Sequence, residues 1–253
     1  MSGPSCCNNS DIGFLGVSAP SLSYAPNCDK HDITQPGDSL ADTEALRDKC
    51  AVDRGADIVV KLSKAIGEEA KRKTLFGSEA TEARIKALNE TGALGQVRYI
   101  AFATHGLTAR ETKHFSSVAE PSLVLTPPQK ASETDDGLLL SSEIVTLKLS
   151  ADIVYLIACN SAASDHDELE AFTGLAMSFM AAGAKVLVVA YYPVDLDATA
   201  LLMAKLAQHL VDDHATVSQA LQSAMRELRS ESNGVEPYSH PRFWAGFTVI
   251  SLH

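Results

Sequence analysis

Cysteine is scarce in this sequence: Cys6, Cys7, Cys28, Cys50 and Cys159 are the only five among 253 residues. An odd, scattered set forms neither a disulfide framework nor a zinc-ligand pattern, and it points to free thiols in a reducing, cytoplasmic setting. Basic residues are also in short supply, with 21 Lys and Arg against 32 Asp and Glu and a formal net charge of -11. Nucleic acids and anionic membranes are held by clustered Lys and Arg, so neither is expected as a partner. There is no uncharged apolar run of about 18 residues to span a bilayer. The N-terminus lacks the basic start and apolar stretch of a secretory signal. Internal repeats and low-complexity blocks are absent as well.

What remains is ordinary globular material, 45% hydrophobic and 21% charged, enough for one large α/β domain or two small ones. Residues 1–10, small and polar, read as a flexible tail, with the Cys6-Cys7 pair more in keeping with a loose chain end than with a lipid anchor. The apolar run Ile12 to Ser18 reads as a strand ending in Ala19-Pro20, and residues 21–38 read as irregular. Helical material follows from about Thr43 to Ala65, broken or bent near Gly55. Thr74 to Gly77 is a short strand, and Ser78 or Thr81 caps a helix through Leu88.

From there the pattern becomes regular. Buried strands are expected at Arg98–Thr104, Ser122–Thr126, Asp152–Ala158 and Lys185–Tyr192, and a last strand at Phe243–Ile250. Helices are expected from Ser141 or Ser142 to Leu147, from Leu169 to Ala182 with Gly183 as the stop, from Asp195 or Asp197 to Val211, and from Thr216 to Arg229. Strands apolar on both faces and alternating with helices imply a three-layer α/β/α sandwich around a mostly parallel sheet. Ligands in such folds sit outside the carboxyl ends of the strands.

Two of the buried strands end in reactive side chains. Arg98–Thr104 runs into His105-Gly106, and Asp152–Ala158 runs into Cys159-Asn160-Ser161. If the strands are parallel neighbours, both groups emerge at one edge of the sheet, and the sequence separation of 54 between His105 and Cys159 leaves room for the crossover. A thiol with a pKa near ~8.5 needs a base to become a good nucleophile at neutral pH, and an imidazole supplies one. Gly106 allows close backbone approach, so its N–H and that of Cys159 are candidate donors to an oxyanion. The plainer alternative stays open: a buried Cys closing a strand and a His-Gly turn. No third member is evident, since Asp152 and Asp195 read as a strand start and a helix cap.

The blocks A-F-A-T-H-G, L-L-L-S-S-E-I and I-V-Y-L-I-A-C-N-S-A, then the stretch from Gly174 through Ala200 and the closing H-P-R-F-W-A-G-F, resemble the CHAT family of caspase-like proteins in the same order. Caspases place the histidine about 50 residues before the cysteine, consistent with the spacing here. The resemblance implies a caspase-like domain over residues 11–253 and a Cys159–His105 dyad. It also implies cleavage of a protein substrate without metal or organic cofactor. CHAT domains usually follow helical repeats and this sequence has none, which implies a longer parent protein or a separate regulatory or helical-repeat partner.

Ala162 to Glu170 is densely acidic. If Asp165, Asp167 or Glu168 lines the pocket for the residue before the cut, a basic side chain is preferred there. Otherwise these acids simply favour the next helix N-terminus. Two other functions compete with an endopeptidase: a catalytically silent module that holds a peptide or partner protein, and a different thiol hydrolase on a doubly wound sheet. The long polar connection from 107 to 137 is expected to flank the cleft.

Overall fold

The computed structural model describes residues 13–20, 41–47, 55–66, 72–157, 167–191, 195–232 and 237–251, without the side chains of 19, 20 and 167–172. Its elements in chain order are β1 (Phe14–Pro20), α1 (Thr43–Arg47), α2 (Gly55–Ala65), β2 (Arg72–Gly77), α3 (Glu82–Glu90), β3 (Tyr99–Ala103), β4 (Gly106–Leu107) and α4 (Ala109–Thr112). Then come β5 (Ser122–Val124), β6 (Leu138–Leu140), α5 (Ser141–Ile144), β7 (Ile153–Leu156), α6 (Asp167–Ala181), β8 (Val186–Ala190), α7 (Leu196–Asp212), α8 (Val217–Leu228) and β9 (Phe247–Ser251). A sheet of order β2-β1-β3-β7-β8-β9 is parallel except for β9. This is the three-layer, mostly parallel sandwich that the apolar runs imply.

The strands are apolar on both faces because both faces are covered. In β7 the side chains alternate at the strand period: Val154 and Leu156 join one core cluster, while Ile153 and Tyr155 join the other. The first cluster is completed by Ile85 and Leu88 of α3, Ile144 of α5 and Phe179 of α6. The second is completed by Leu62 of α2, Met203 and Leu206 of α7 and Leu221 of α8. Helix α2 lies so close to β1 that a Cβ on Gly16 would collide with Val59.

Local signals explain most boundaries. Thr81, Asp195 and Thr216 each accept a backbone N–H at a helix start. Gly183 follows α6 at φ +111°, a conformation that favours glycine. The helical stretch expected over 43–65 is two helices, α1 and α2. Two expectations need correction. The last strand begins only at Phe247, because Pro241–Phe243 forms a 3₁₀ turn capped by His240. Helix α6 starts at Asp167, two residues before the expected Leu169.

The connection between β3 and β7 holds more order than its polarity implies. β4, β5 and β6 form a separate antiparallel sheet. Thr108 and Glu111 form a capping box at the start of α4, with Thr108 N–H donating to Glu111 Oε2 (2.8 Å) and Glu111 N–H to Thr108 Oγ1 (3.1 Å). Leu46 of α1 packs under the small sheet with Leu107, Phe115, Val124 and Leu138.

Candidate active site

β3 and β7 are parallel neighbours in register, Phe102 opposite Leu156. The pairing runs one step further, with Ile157 N–H donating to the Phe102 carbonyl (2.8 Å). His105 lies three residues beyond Phe102, and Cys159 is three positions beyond Leu156 in the sequence. Cys159 itself falls outside the described residues, as do Asn160, Ser161 and Asp165. The carboxyl ends of both strands lie at the same rim of the sheet.

The backbone that carries His105 is pinned from two sides. Ser18, at the end of β1, donates its hydroxyl to the Ala103 carbonyl (2.8 Å). Thr104 donates its hydroxyl to the Val124 carbonyl (2.5 Å), and Val124 N–H donates to the His105 carbonyl (2.9 Å). Ser18, Thr104 and His105 are all buried. Ser18 and Thr104 were not evident as site residues in the sequence, where a strand serine and threonine carry no signal.

Gly106 opens β4 opposite Leu123. The bond from Val124 N–H to the His105 carbonyl makes Gly106–Leu123 a non-hydrogen-bonded pair, so the Gly106 N–H and carbonyl point away from β5. β4 is the edge strand of its sheet, which leaves that N–H on the outer side. Behind it, α4 is anchored by Thr112, whose hydroxyl lies 3.0 Å from that of Ser122.

The acidic stretch divides. Asp167 and Glu168 belong to the backbone of the first turn of α6 rather than to a loop, and their side chains lie outside those described. Asp152 sits at the other end of the sheet from His105. It accepts from Arg98 Nε (2.6 Å) and Lys185 Nζ (2.7 Å). Burial opposes ionisation of its carboxyl, but those hydrogen bonds outweigh it and hold the group below the usual carboxylate range. Asp195 accepts from Ala198 N–H (2.8 Å) as the cap of α7.

A buried acidic cluster, unforeseen from sequence, braces the small sheet. Glu82, 1% exposed, accepts from Asp136 N–H (2.8 Å) and is paired with Lys86, which also reaches Glu143 (2.7 Å). Asp136 in turn accepts from Ala41 N–H (2.9 Å) and Leu138 N–H (2.9 Å). Burial, reinforced by Glu143, pushes Glu82 up to about 8 against the hydrogen bonds from Lys86 and Asp136. Among the described residues no three His, Cys, Asp or Glu side chains are arranged to hold a metal ion, and no helix is long and apolar enough to cross a membrane.

The molecule is thus an α/β/α sandwich in which two central parallel strands, followed in the sequence by His105-Gly106 and by Cys159, end at one rim. Residues 32–251 match the CHAT domain family, and the chain belongs to it. It is 27% identical over 203 residues to tetratricopeptide repeat protein 28 of Mus musculus, and 24% identical over 200 residues to that of Homo sapiens. Each match covers 70% of this chain, which spans only 8% of the length of those relatives. Among solved structures it resembles the Drosophila initiator caspase Dronc at 8% identity and a TM-score of 0.43, over 96% of this chain and 81% of that one. A likeness at that level carries no weight for residue roles.

Proposed function

We propose that this chain is a cysteine endopeptidase that cleaves a protein substrate with a Cys159–His105 dyad. The observation that carries the reading is the in-register parallel pairing of β3 with β7, since it ends the two strands that precede His105 and Cys159 in the sequence at the same rim. In the proposed reaction His105 takes the thiol proton and Cys159 Sγ attacks the scissile carbonyl. The oxyanion of the tetrahedral intermediate accepts from the N–H groups of Gly106 and Cys159. His105 then returns the proton to the leaving amine, the C–N bond breaks, and water activated by the same imidazole releases the acyl group from sulfur. The pinned carbonyls of Ala103 and His105 support this role, because a general base contributes only when held in place.

The acidic run of Asp165, Asp167 and Glu168 is proposed to favour Lys or Arg before the cut. Regulation by a helical-repeat partner is proposed from the name of the relatives, tetratricopeptide repeat proteins.

The test is a peptide library digested by the wild type and by Cys159→Ala, with and without helical-repeat partners, and read by mass spectrometry. Cleavage by the wild type alone, enriched for Lys or Arg before the cut, is the expected result. Equal cleavage by both proteins removes Cys159 from the mechanism. No cleavage under any condition, with peptide binding retained, favours a silent binding module instead.

A further inference from the structure

At the opposite side of the large sheet from β2, strand β9 forms an edge among the described residues. Tyr191 N–H donates to the Gly246 carbonyl (2.9 Å), which fixes the phase of the β8–β9 ladder. Phe247 and Val249 are therefore the non-hydrogen-bonded partners of Ala190 and Val188, and their own N–H and C=O groups face away from β8. Such a row of outward backbone groups is a template for another extended chain.

A groove of about 440 Å³ runs between this strand and α8. Its floor is apolar, with Leu221, Met225 and Trp244 beside Val249. Its helix side carries Arg226 and Arg229, both exposed, with the Arg229 guanidinium 5.5 Å from the Trp244 ring. Among the described residues neither arginine is paired with a carboxylate. The acids of this region turn the other way: Glu227 and Glu231 both reach Lys205 of α7 (3.0 and 2.7 Å), and Glu227 also reaches His209 (2.9 Å). Charge is thus segregated across α8, and the cations of a chain with net charge -11 face the groove.

We propose that this groove binds an extended acidic peptide segment of another protein by strand addition to β9. Backbone bonds to Phe247 and Val249 supply register, as in other grooves built from a helix and an edge strand. Alternate side chains of the guest face α8, where an apolar residue covers Leu221 and Met225 and carboxylates at i and i+2 pair with Arg226 and Arg229. A second copy of this chain fits less well. Antiparallel pairing of β9 with itself about a two-fold axis sets the two α8 helices on the same face, each turning its arginines toward the other. The inference is independent of the Cys159–His105 reading.

The test uses the full chain and a fluorescein-labelled heptapeptide with Val, Glu and Glu at the three successive helix-facing positions and Thr between them, followed by fluorescence anisotropy. Saturable binding is expected, weakened at least about tenfold by R226E/R229E or by raised salt. A peptide N-methylated at alternate amides, and Val249→Pro in the protein, remove main-chain pairing without removing a β8–β9 bond, and each is expected to abolish binding. No binding at millimolar peptide, or equal binding of a Lys-for-Glu peptide or of the N-methylated one, overturns the proposal. So does concentration-dependent dimerisation, read by light scattering, that the acidic peptide does not dissociate.

Discussion

The two rims of the large sheet are closed in different ways by the same strands. At the amino ends of β3, β7 and β8, Asp152 gathers Arg98 and Lys185, whose side chains are 66% and 67% exposed. At the carboxyl ends of β1 and β3 the ties are of another kind. Buried hydroxyls of Ser18 and Thr104 and the N–H of Val124 hold the main chain at residues 103–105 and 124. One rim is tied by water-exposed charges that substitute for one another. The other is tied through the backbone, which fixes the main chain that carries His105.

Substitutions at the two rims are therefore expected to differ in kind as well as in size. The largest contrast is Cys159→Ala, expected to reduce cleavage by about 10⁴-fold or more while leaving the melting temperature within a few degrees. Should the variant keep its activity, the carboxyl-end rim is not where the chemistry occurs. Next is Gly16→Val, which drives a branched side chain into Val59 and separates α2 from β1; a loss of about 3 kcal/mol is expected in urea titrations. Thr104→Val leaves the Val124 carbonyl without its buried donor. It is expected to cost about 1–3 kcal/mol and to lower kcat more than it raises KM. If stability and KM move but kcat does not, Thr104 is packing and nothing more.

Glu82 yields a pH experiment. Its folded pKa of about 8 lies above the ordinary 4.5, so the folded state holds the extra proton. Its contribution is fully present below about 4.5 and is lost as pH rises through about 8. Glu82→Gln is expected to flatten that part of the stability profile measured by thermal melts. The smallest effect is reserved for the amino-end rim. Asp152→Asn is expected to cost less than about 1 kcal/mol, to vanish in high salt and to leave kcat unchanged.

The central strands were legible because a strand buried on both faces must be apolar throughout, as I-V-Y-L at 153–156 is. The helix starts at Thr81, Asp195 and Thr216 were legible from side chains that hydrogen-bond the first turn. β4 was not, because two residues carry no period; the T-A-R-E capping box at 108–111 was the available signal for α4. That the strands preceding His105 and Cys159 in the sequence end at one rim could be anticipated, because both read as buried strands of a parallel sheet. The supports of that rim could not, since Ser18 and Val124 reach it from distant parts of the chain. Nor did anything mark Glu82 as buried: a glutamate in the first turn of a helix reads as solvated, and only its tertiary partners Asp136 and Glu143 change that.

The match to the CHAT family starts at residue 32, yet β1, at Phe14–Pro20, lies between β2 and β3 and pairs with both. A version trimmed to the matched residues would strip β2 of its only neighbour in the sheet among the described residues. It would also bare one long side of β3 and take away the hydroxyl that Ser18 lends to Ala103. Anyone expressing this domain alone should begin upstream of Phe14, or expect sticky, aggregating material.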